Sequence, residues 1–296
     1  MQQHYAGYLF MLLASVVAAF MGSLSRYCFD NGVTPIELAF YRTLIAGALY
    51  FAHASIQGRV RIPPRAAGIF AAFGICIMAM LSLSYLYAVR IAGVSTTTIL
   101  LYTAPAWVAL FSRILFKEAL PPLKLLALFL ALVGATLACL SGGALPGGVS
   151  PFGMALALFC GLVYACQYIA LAYLLRNYSA PTFYSVAMPA GGLMMLPFVE
   201  FTTHSIDVWL VILIIGVVCT YLTFLLYAMG IKRLTPTTAA VIANTEPILA
   251  ALVAWIWWGE FFPPTGWIGA ALVISAVFLV VFSQRRQLPP DLKKEL

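Results

Sequence analysis

Ten stretches of this chain, at about 7–29, 36–54, 66–90, 94–115, 123–140, 151–175, 182–199, 207–230, 236–257 and 266–283, are almost wholly apolar. A helix crosses a hydrocarbon core with about 20 apolar residues, so each stretch is long enough to span a bilayer. Strands of a transmembrane β-barrel alternate apolar and polar residues, and these runs do not alternate. Only 8% of the 296 residues are charged, against 64% hydrophobic. An ordinary soluble domain carries about 25% charged residues, so this chain cannot cover a large surface in water. The expected fold is an all-α membrane protein with ten transmembrane helices.

Local punctuation agrees with those spans. Pro35, Pro151, Pro181 and Pro236 fall where a first helical turn accepts proline. The pairs Pro63-Pro64, Pro121-Pro122 and Pro263-Pro264 mark connections, and SGGALPGGVS at 141–150 is a Gly-rich linker near mid-chain. The N-terminus MQQHYAGYLFMLLASVVAAF has no Lys or Arg before its apolar run. A cleaved signal peptide wants a basic start, so a retained first span is expected.

Six cysteines, Cys28, Cys76, Cys139, Cys160, Cys166 and Cys219, are scattered through apolar runs without metal-ligand spacing. They read as buried small hydrophobes rather than a disulfide or zinc framework. His4, His53 and His204 stand far apart near span ends. No metal site, cofactor or catalytic constellation is expected, and no enzyme activity.

Charge sets the expected direction. Arg59, Arg61, Arg65, Arg113, Lys117, Lys124, Arg176, Lys232, Arg233, Arg285, Arg286, Lys293 and Lys294 fall on the N-terminal side of a ten-span chain, 13 of its 16 basic residues. Cytoplasmic loops collect Lys and Arg, so both termini are expected in the cytoplasm. The formal net charge of +7 therefore belongs to a lipid bilayer, and no nucleic-acid partner is expected.

The chain also overlays on itself. A shift of 142 residues places Tyr85 on Tyr227, Thr96 on Thr238, Thr103 on Thr245, Pro105 on Pro247, Glu118 on Glu260 and Pro121-Pro122 on Pro263-Pro264. A shift of 146 aligns Gly7 with Gly153, Tyr27 with Tyr173 and Pro35 with Pro181. Two five-helix repeats are expected, 1–145 and 146–296. Five is odd, so the second repeat enters the membrane inverted. Inverted repeats place a solute site at their interface near the midplane and allow alternating access.

The segments Tyr102-Thr103-Ala104-Pro105 through Phe116-Lys117-Glu118, and Asn244-Thr245-Glu246-Pro247 through Trp258-Gly259-Glu260, with Arg42 in the second span, resemble the drug/metabolite transporter superfamily in its ten-helix EamA-type branch. The resemblance covers nearly the whole chain and specifies the superfamily far better than the substrate. Within that branch it is most similar to YddG-type exporters of aromatic and other amino acids. It implies a 5+5 basket in the cell inner membrane, a central cavity between spans 3, 4, 8 and 9, and outer spans that can support a homodimer. The expected function is export of small metabolites, amino acids including aromatic ones first. The alternatives are a carrier of the same fold for drugs, nucleobases or sugar phosphates, or a membrane scaffold that transports nothing.

Polar residues at bilayer depth are expensive and mark sites or partners. Glu246 lies about 15 Å into its span at 1.5 Å per residue, as a proton-coupling carboxyl, a partner for a substrate amine, or a structural group paired or hydrogen-bonded within the bundle. Its mate under the 142-residue shift is Ala104. Arg42 lies about 10 Å in, most simply as an anchor paired with a carboxylate or carbonyls. Asp30, Glu37 and Arg26 read as interfacial, and Glu118 and Glu260 as caps of the helices that follow. Tyr5, Tyr8, Trp209, Trp257, Trp258 and Trp267 fit an interfacial belt. Tyr102, Tyr164, Tyr168 and Tyr221 are deeper. The substrate wall is assigned to Tyr102, Tyr164, Met78, Ser82, Asn244 and Glu246. Pro105 and Pro247 read as paired mid-helix kinks that hinge the carrier, and Gly47 and Gly191-Gly192 as places of close helix contact.

Overall fold

A computed structural model describes residues 2–59, 61–140, 150–259 and 264–287 of the chain. Among them every regular element is helical. The chain begins with α1 (Gln2–Asp30) and α2 (Pro35–Ile56). Next come α3 (Pro64–Phe73), a π-helical stretch Gly74–Ala79 and α4 (Met80–Ala92), which run on without interruption. Then follow α5 (Val94–Leu101), α6 (Ala104–Phe116), α7 (Pro122–Leu140), α8 (Pro151–Leu174) and α9 (Ala180–Met195). The chain continues through α10 (Ile206–Ile214), a second π-helical stretch Ile215–Leu222 and α11 (Thr223–Ile231), again continuous. It ends with α12 (Pro236–Ala243), α13 (Glu246–Trp258) and α14 (Pro264–Gln287).

These helices fall within a few residues of the apolar runs. The prolines act as helix starters: Pro35, Pro151, Pro181 and Pro236 all occupy a first turn, where a missing N–H costs nothing. Thr34 and Ser179 cap α2 and α9 by accepting the backbone N–H of Glu37 and Thr182. Seven stretches are long and apolar enough to cross a bilayer: Tyr5–Asp30, Pro64–Ala92, Thr96–Phe116, Pro151–Leu174, Ile206–Ile231, Pro236–Trp258 and Pro264–Ser283. Pro122–Leu137 is a shorter apolar helix. The chain is a multi-pass membrane protein. The runs at 36–54 and 182–199 form α2 and α9, which lack that combination of length and hydropathy. α2 carries Glu37 and Arg42, and α9 stops at Met195 ahead of Pro197, with a 3₁₀ turn at Leu196–Phe198.

Large apolar side chains point outward along these helices, among them Ile114 at 64%, Phe129 at 61% and Phe278 at 71% exposure. In lipid such faces need no cover. The interior is sealed by close backbone contact. A Cβ on Gly47 would meet the Pro189 ring at 2.7 Å, and one on Gly74 would sit 2.0 Å from the Ala187 carbonyl oxygen. Small residues let α2, α9 and the first π-helical stretch touch, as expected for membrane helices. An aromatic cluster of Tyr50, Tyr184, Tyr221, Phe183 and Phe70 fills the space around that contact.

Several expectations change. Cys28, Cys160 and Cys219 are buried free thiols, but Cys76 is exposed and Cys166 half-buried. Trp258 is packed rather than belt-like, with the Arg26 guanidinium 4.6 Å from its ring centre. Glu260, Pro263, the linker 141–149 and the tail with Lys293 and Lys294 lie outside the described residues, as do the side chains of His4, Cys139, Arg285 and Arg286.

Candidate functional site

The site is built on two helix breaks. α5 ends at Leu101 and α6 starts at Ala104, with Tyr102 and Thr103 between; α12 ends at Ala243 and α13 starts at Glu246, with Asn244 and Thr245 between. Pro105 and Pro247 are therefore not mid-helix kinks. Each is the second residue of a fresh helix, where its missing N–H is harmless. The threonine between the segments completes each break. Thr103 Oγ1 donates to the Leu100 carbonyl at 2.6 Å, and Thr245 Oγ1 to the Ile242 carbonyl at 2.8 Å. The backbone N–H of each threonine donates to the same carbonyl. α8 comes against the first break through Gly161, where a Cβ would lie 2.6 Å from the Leu100 carbonyl oxygen.

At the second break Glu246 turns inward. Its Oε2 accepts a hydrogen bond from the Tyr227 hydroxyl on α11 at 3.0 Å. From α8, Tyr164 and Tyr168 stand edge to face, with ring centres 5.4 Å and hydroxyls 3.5 Å apart. Both lie near Glu246, and Tyr102 lies near Tyr227. Asn244 is 3% exposed, and its Nδ2 finds no acceptor among the described residues. Buried amide donors are nearly always paired, so this one is poised for a ligand or water. A cavity of about 30 Å³ opens between Tyr164, Gln167, Tyr168, Phe224 and Tyr227, space for about one water molecule.

Four of the expected wall residues, Tyr102, Tyr164, Asn244 and Glu246, thus gather around the breaks. Met78 and Ser82 do not join them by any recorded hydrogen bond or ring contact. Met78 packs toward Gly191 of α9, and Ser82 Oγ donates to the Met78 carbonyl on its own helix. Tyr227 takes the most direct role yet was visible in the sequence only as the overlay partner of Tyr85.

Arg42 is half-buried, and among the described residues it has no hydrogen bond or ion pair. The expected carboxylate partner is absent there. Glu37, in the first turn of α2, is fully buried. It accepts from Thr202 Oγ1 at 3.2 Å and the Thr202 N–H at 3.3 Å, and meets His204 Nε2 at 3.0 Å. Arg26 and Asp30 form an exposed pair at 3.9 Å.

Glu118 does more than cap a helix. Its carboxylate binds Lys124 Nζ and Ser112 Oγ, and accepts from Thr237 Oγ1 at 3.1 Å; Lys124 also donates to Thr235 Oγ1 at 3.0 Å. Burial pushes the Glu118 carboxyl up, but the Lys124 charge and hydrogen bonds outweigh it and hold the group below its usual 4.5. This knot ties the start of α7 and the end of α6 to the start of α12.

The EamA-like transporter family model matches the chain twice, over residues 5–140 and 151–282. An uncharacterized transporter of Archaeoglobus fulgidus is 32% identical over 66% of this chain and 70% of its own length. The uncharacterized inner membrane transporter YicL of Salmonella typhimurium is 25% identical over 95% of this chain and 97% of its own. A probable terminal-alkyne amino-acid exporter of Streptantibioticus cattleyicolor is 24% identical over 62% of this chain and 63% of its own. A solved crystal structure, 19% identical, superposes with a TM-score of 0.83 over 97% of this chain and 100% of that one.

Proposed function

The chain belongs to the EamA-like transporter family, and we propose that it exports small metabolites, amino acids including aromatic ones first, across the cell inner membrane by alternating access. In this reading residues 1–145 and 146–296 are inverted five-helix repeats, ten spans in all, with both termini in the cytoplasm. The double family match supports the repeat. So do the two breaks and the two π-helical stretches, each pair displaced by about 142 residues.

The observation that carries the substrate class is Glu246 at the second break, held by Tyr227, facing aromatic rings and lying beside an amide with a free donor. A carboxylate with tyrosine rings suits a substrate ammonium, by charge-assisted hydrogen bonding and by attraction of the cation to ring faces. The Asn244 Nδ2 suits the substrate carboxylate. Tyr164, Tyr168 and Tyr102 offer flat apolar surface to an aromatic side chain. The relative named as an amino-acid exporter supports the same class. Pro105 and Pro247 mark where the halves of the broken helices hinge.

Uptake and counterflow of labelled amino acids in proteoliposomes test this reading. Saturable counterflow that is lost in Glu246→Gln and Tyr102→Ala supports it. Flux that never saturates, or variants that transport like wild type, would rule it out.

A further inference from the structure

A second concentration of charge lies away from Glu246, where α2, α8 and α11 end. Gly58, at φ +66°, turns the chain out of α2, and Arg59 and Arg61 follow. Arg176 comes from the connection after α8, and Lys232 from the connection after α11. These four cations wall a hollow of about 520 Å³ whose surface also carries the Ser179 and Thr182 side chains. No Asp or Glu lines it among the described residues. Arg176 and Lys232 also line the adjoining cavity of about 570 Å³, whose one acid, Glu118, is already bound by Lys124.

The Arg176 and Lys232 side chains are held by neutral contacts that leave their charge uncompensated, and a backbone bond fixes the chain at Arg59. The Arg176 guanidinium lies over the Phe116 ring at 4.9 Å. Lys232 Nζ donates to the Tyr178 carbonyl at 3.2 Å, and the Arg59 carbonyl accepts from Thr182 Oγ1 at 3.3 Å. Burial, then the charges of Arg59 and Arg233, push the Lys232 ammonium below its usual 10.5. Like charges gathered in one hollow repel, and an anion there removes the repulsion. Guanidinium forks bind phosphate oxygens two at a time, and basic pockets at helix ends suit lipid head groups.

We propose that this hollow is a phosphate-binding site, filled by the phosphate of an anionic lipid head group or by phosphate from solution, and distinct from the solute site around Glu246. The test uses the full-length protein purified in neutral detergent. It is titrated with phosphatidylglycerol against phosphatidylcholine, and with inorganic phosphate against chloride at equal ionic strength. Thermal unfolding and native mass spectrometry report binding. Stabilisation by phosphatidylglycerol alone assigns the site to lipid, and stabilisation by inorganic phosphate assigns it to a solute-accessible anion; either supports the proposal. Affinity should fall roughly five-fold for each charge removed in Arg59→Gln, Arg176→Gln and Lys232→Gln, each read separately and checked for folding by its ligand-free melting. Arg65→Gln, at an exposed arginine outside the hollow, should bind like wild type. The proposal is overturned if neither phosphate source exceeds its control, or if Arg65→Gln weakens binding as much as Arg176→Gln.

Discussion

The break between α5 and α6 and the break between α12 and α13 share a backbone and differ in their contents. Tyr102 and Thr103 sit at φ/ψ of −75°/5° and −73°/−10°; Asn244 and Thr245 sit at −65°/−2° and −73°/−21°. In both, a threonine hydroxyl bonds the carbonyl three residues back, and a proline follows two residues on. Beside that frame the first break places Ala104, 1% exposed, and the second places Glu246, bonded to Tyr227. A duplicated Thr-x-Pro signal thus makes the same interruption twice, while the neighbouring residues decide what chemistry it presents. The ends of the broken helices diverge as well. Glu118 is knotted to Lys124 and Ser112, whereas the positions 142 residues later are Gly266 and Ala254, so the same knot cannot be built there.

Removing Lys124 should give the largest effect. The pair's side chains are only 3% and 6% exposed, and breaking a buried pair by deleting one partner costs about 3–5 kcal/mol. Lys124→Met should therefore lower thermal stability steeply. The pH dependence has a definite sign. The Glu118 carboxyl is lower in the folded protein than its usual 4.5, so its contribution is present above that value and fades as pH falls through the folded one. The stability gap between wild type and Glu118→Gln should narrow on acidification; a constant gap would refute the pairing. Next in size is Glu246→Gln, with an expected loss of at least about ten-fold in transport, equivalent to about 1.4 kcal/mol. Ala104→Glu in that background should not restore transport, because position 104 is closely packed around a methyl group, 1% exposed, and leaves no room for the longer side chain.

Much of the scaffold was legible because its signals are local. Apolar run length gave the helices, and first-turn prolines gave their starts. Gly47 and Gly191 were readable as close-contact positions because a small residue in an apolar helix has few other uses. What escaped depends on partners far away in sequence. Glu118 looks like a cap until Thr237, 119 residues later, is seen to reach it. Nothing in the sequence shows that Glu37 is buried, because its cover, the 199–205 connection, reaches it through Thr202 and His204 some 165 residues later. Met78 and Ser82 shared a helix face, but face-sharing does not say which neighbour each residue meets: Met78 packs toward Gly191 of α9, while the Ser82 hydroxyl turns back to the Met78 carbonyl. Pro105 and Pro247 were misplaced as kinks because proline rules do not say that the preceding Tyr-Thr and Asn-Thr would end one helix before the next begins.

Smaller effects sharpen the comparison further. Tyr227→Phe removes the hydroxyl that holds Glu246 and keeps the ring. A neutral-to-charged hydrogen bond contributes about 1.5–3 kcal/mol at most, and a mobile carboxylate recovers part of that. Transport should fall several-fold, less than for Glu246→Gln. Tyr85→Phe, its counterpart, loses a hydroxyl that meets Thr98 Oγ1 at 3.3 Å, and should leave transport unchanged.

The finest discrimination comes from the two threonines. Thr103→Val and Thr245→Val each exchange a hydroxyl for a methyl of similar size and delete one bond to a carbonyl that keeps its backbone donor. Each should cost about 0.5–1.5 kcal/mol of stability, and because the two breaks share their geometry, the costs should agree within about 0.5 kcal/mol. Transport should separate them. Thr245 lies between Asn244 and Glu246 and sets the angle at which both enter the interior, so Thr245→Val should raise KM for the amino acid. Thr103 lies between Tyr102, which offers the substrate an apolar ring, and Ala104, which offers it no polar group, so Thr103→Val should raise KM less than Thr245→Val. Equal changes in KM would mean that the two breaks position the substrate alike, and that its polar contacts are not concentrated at the second.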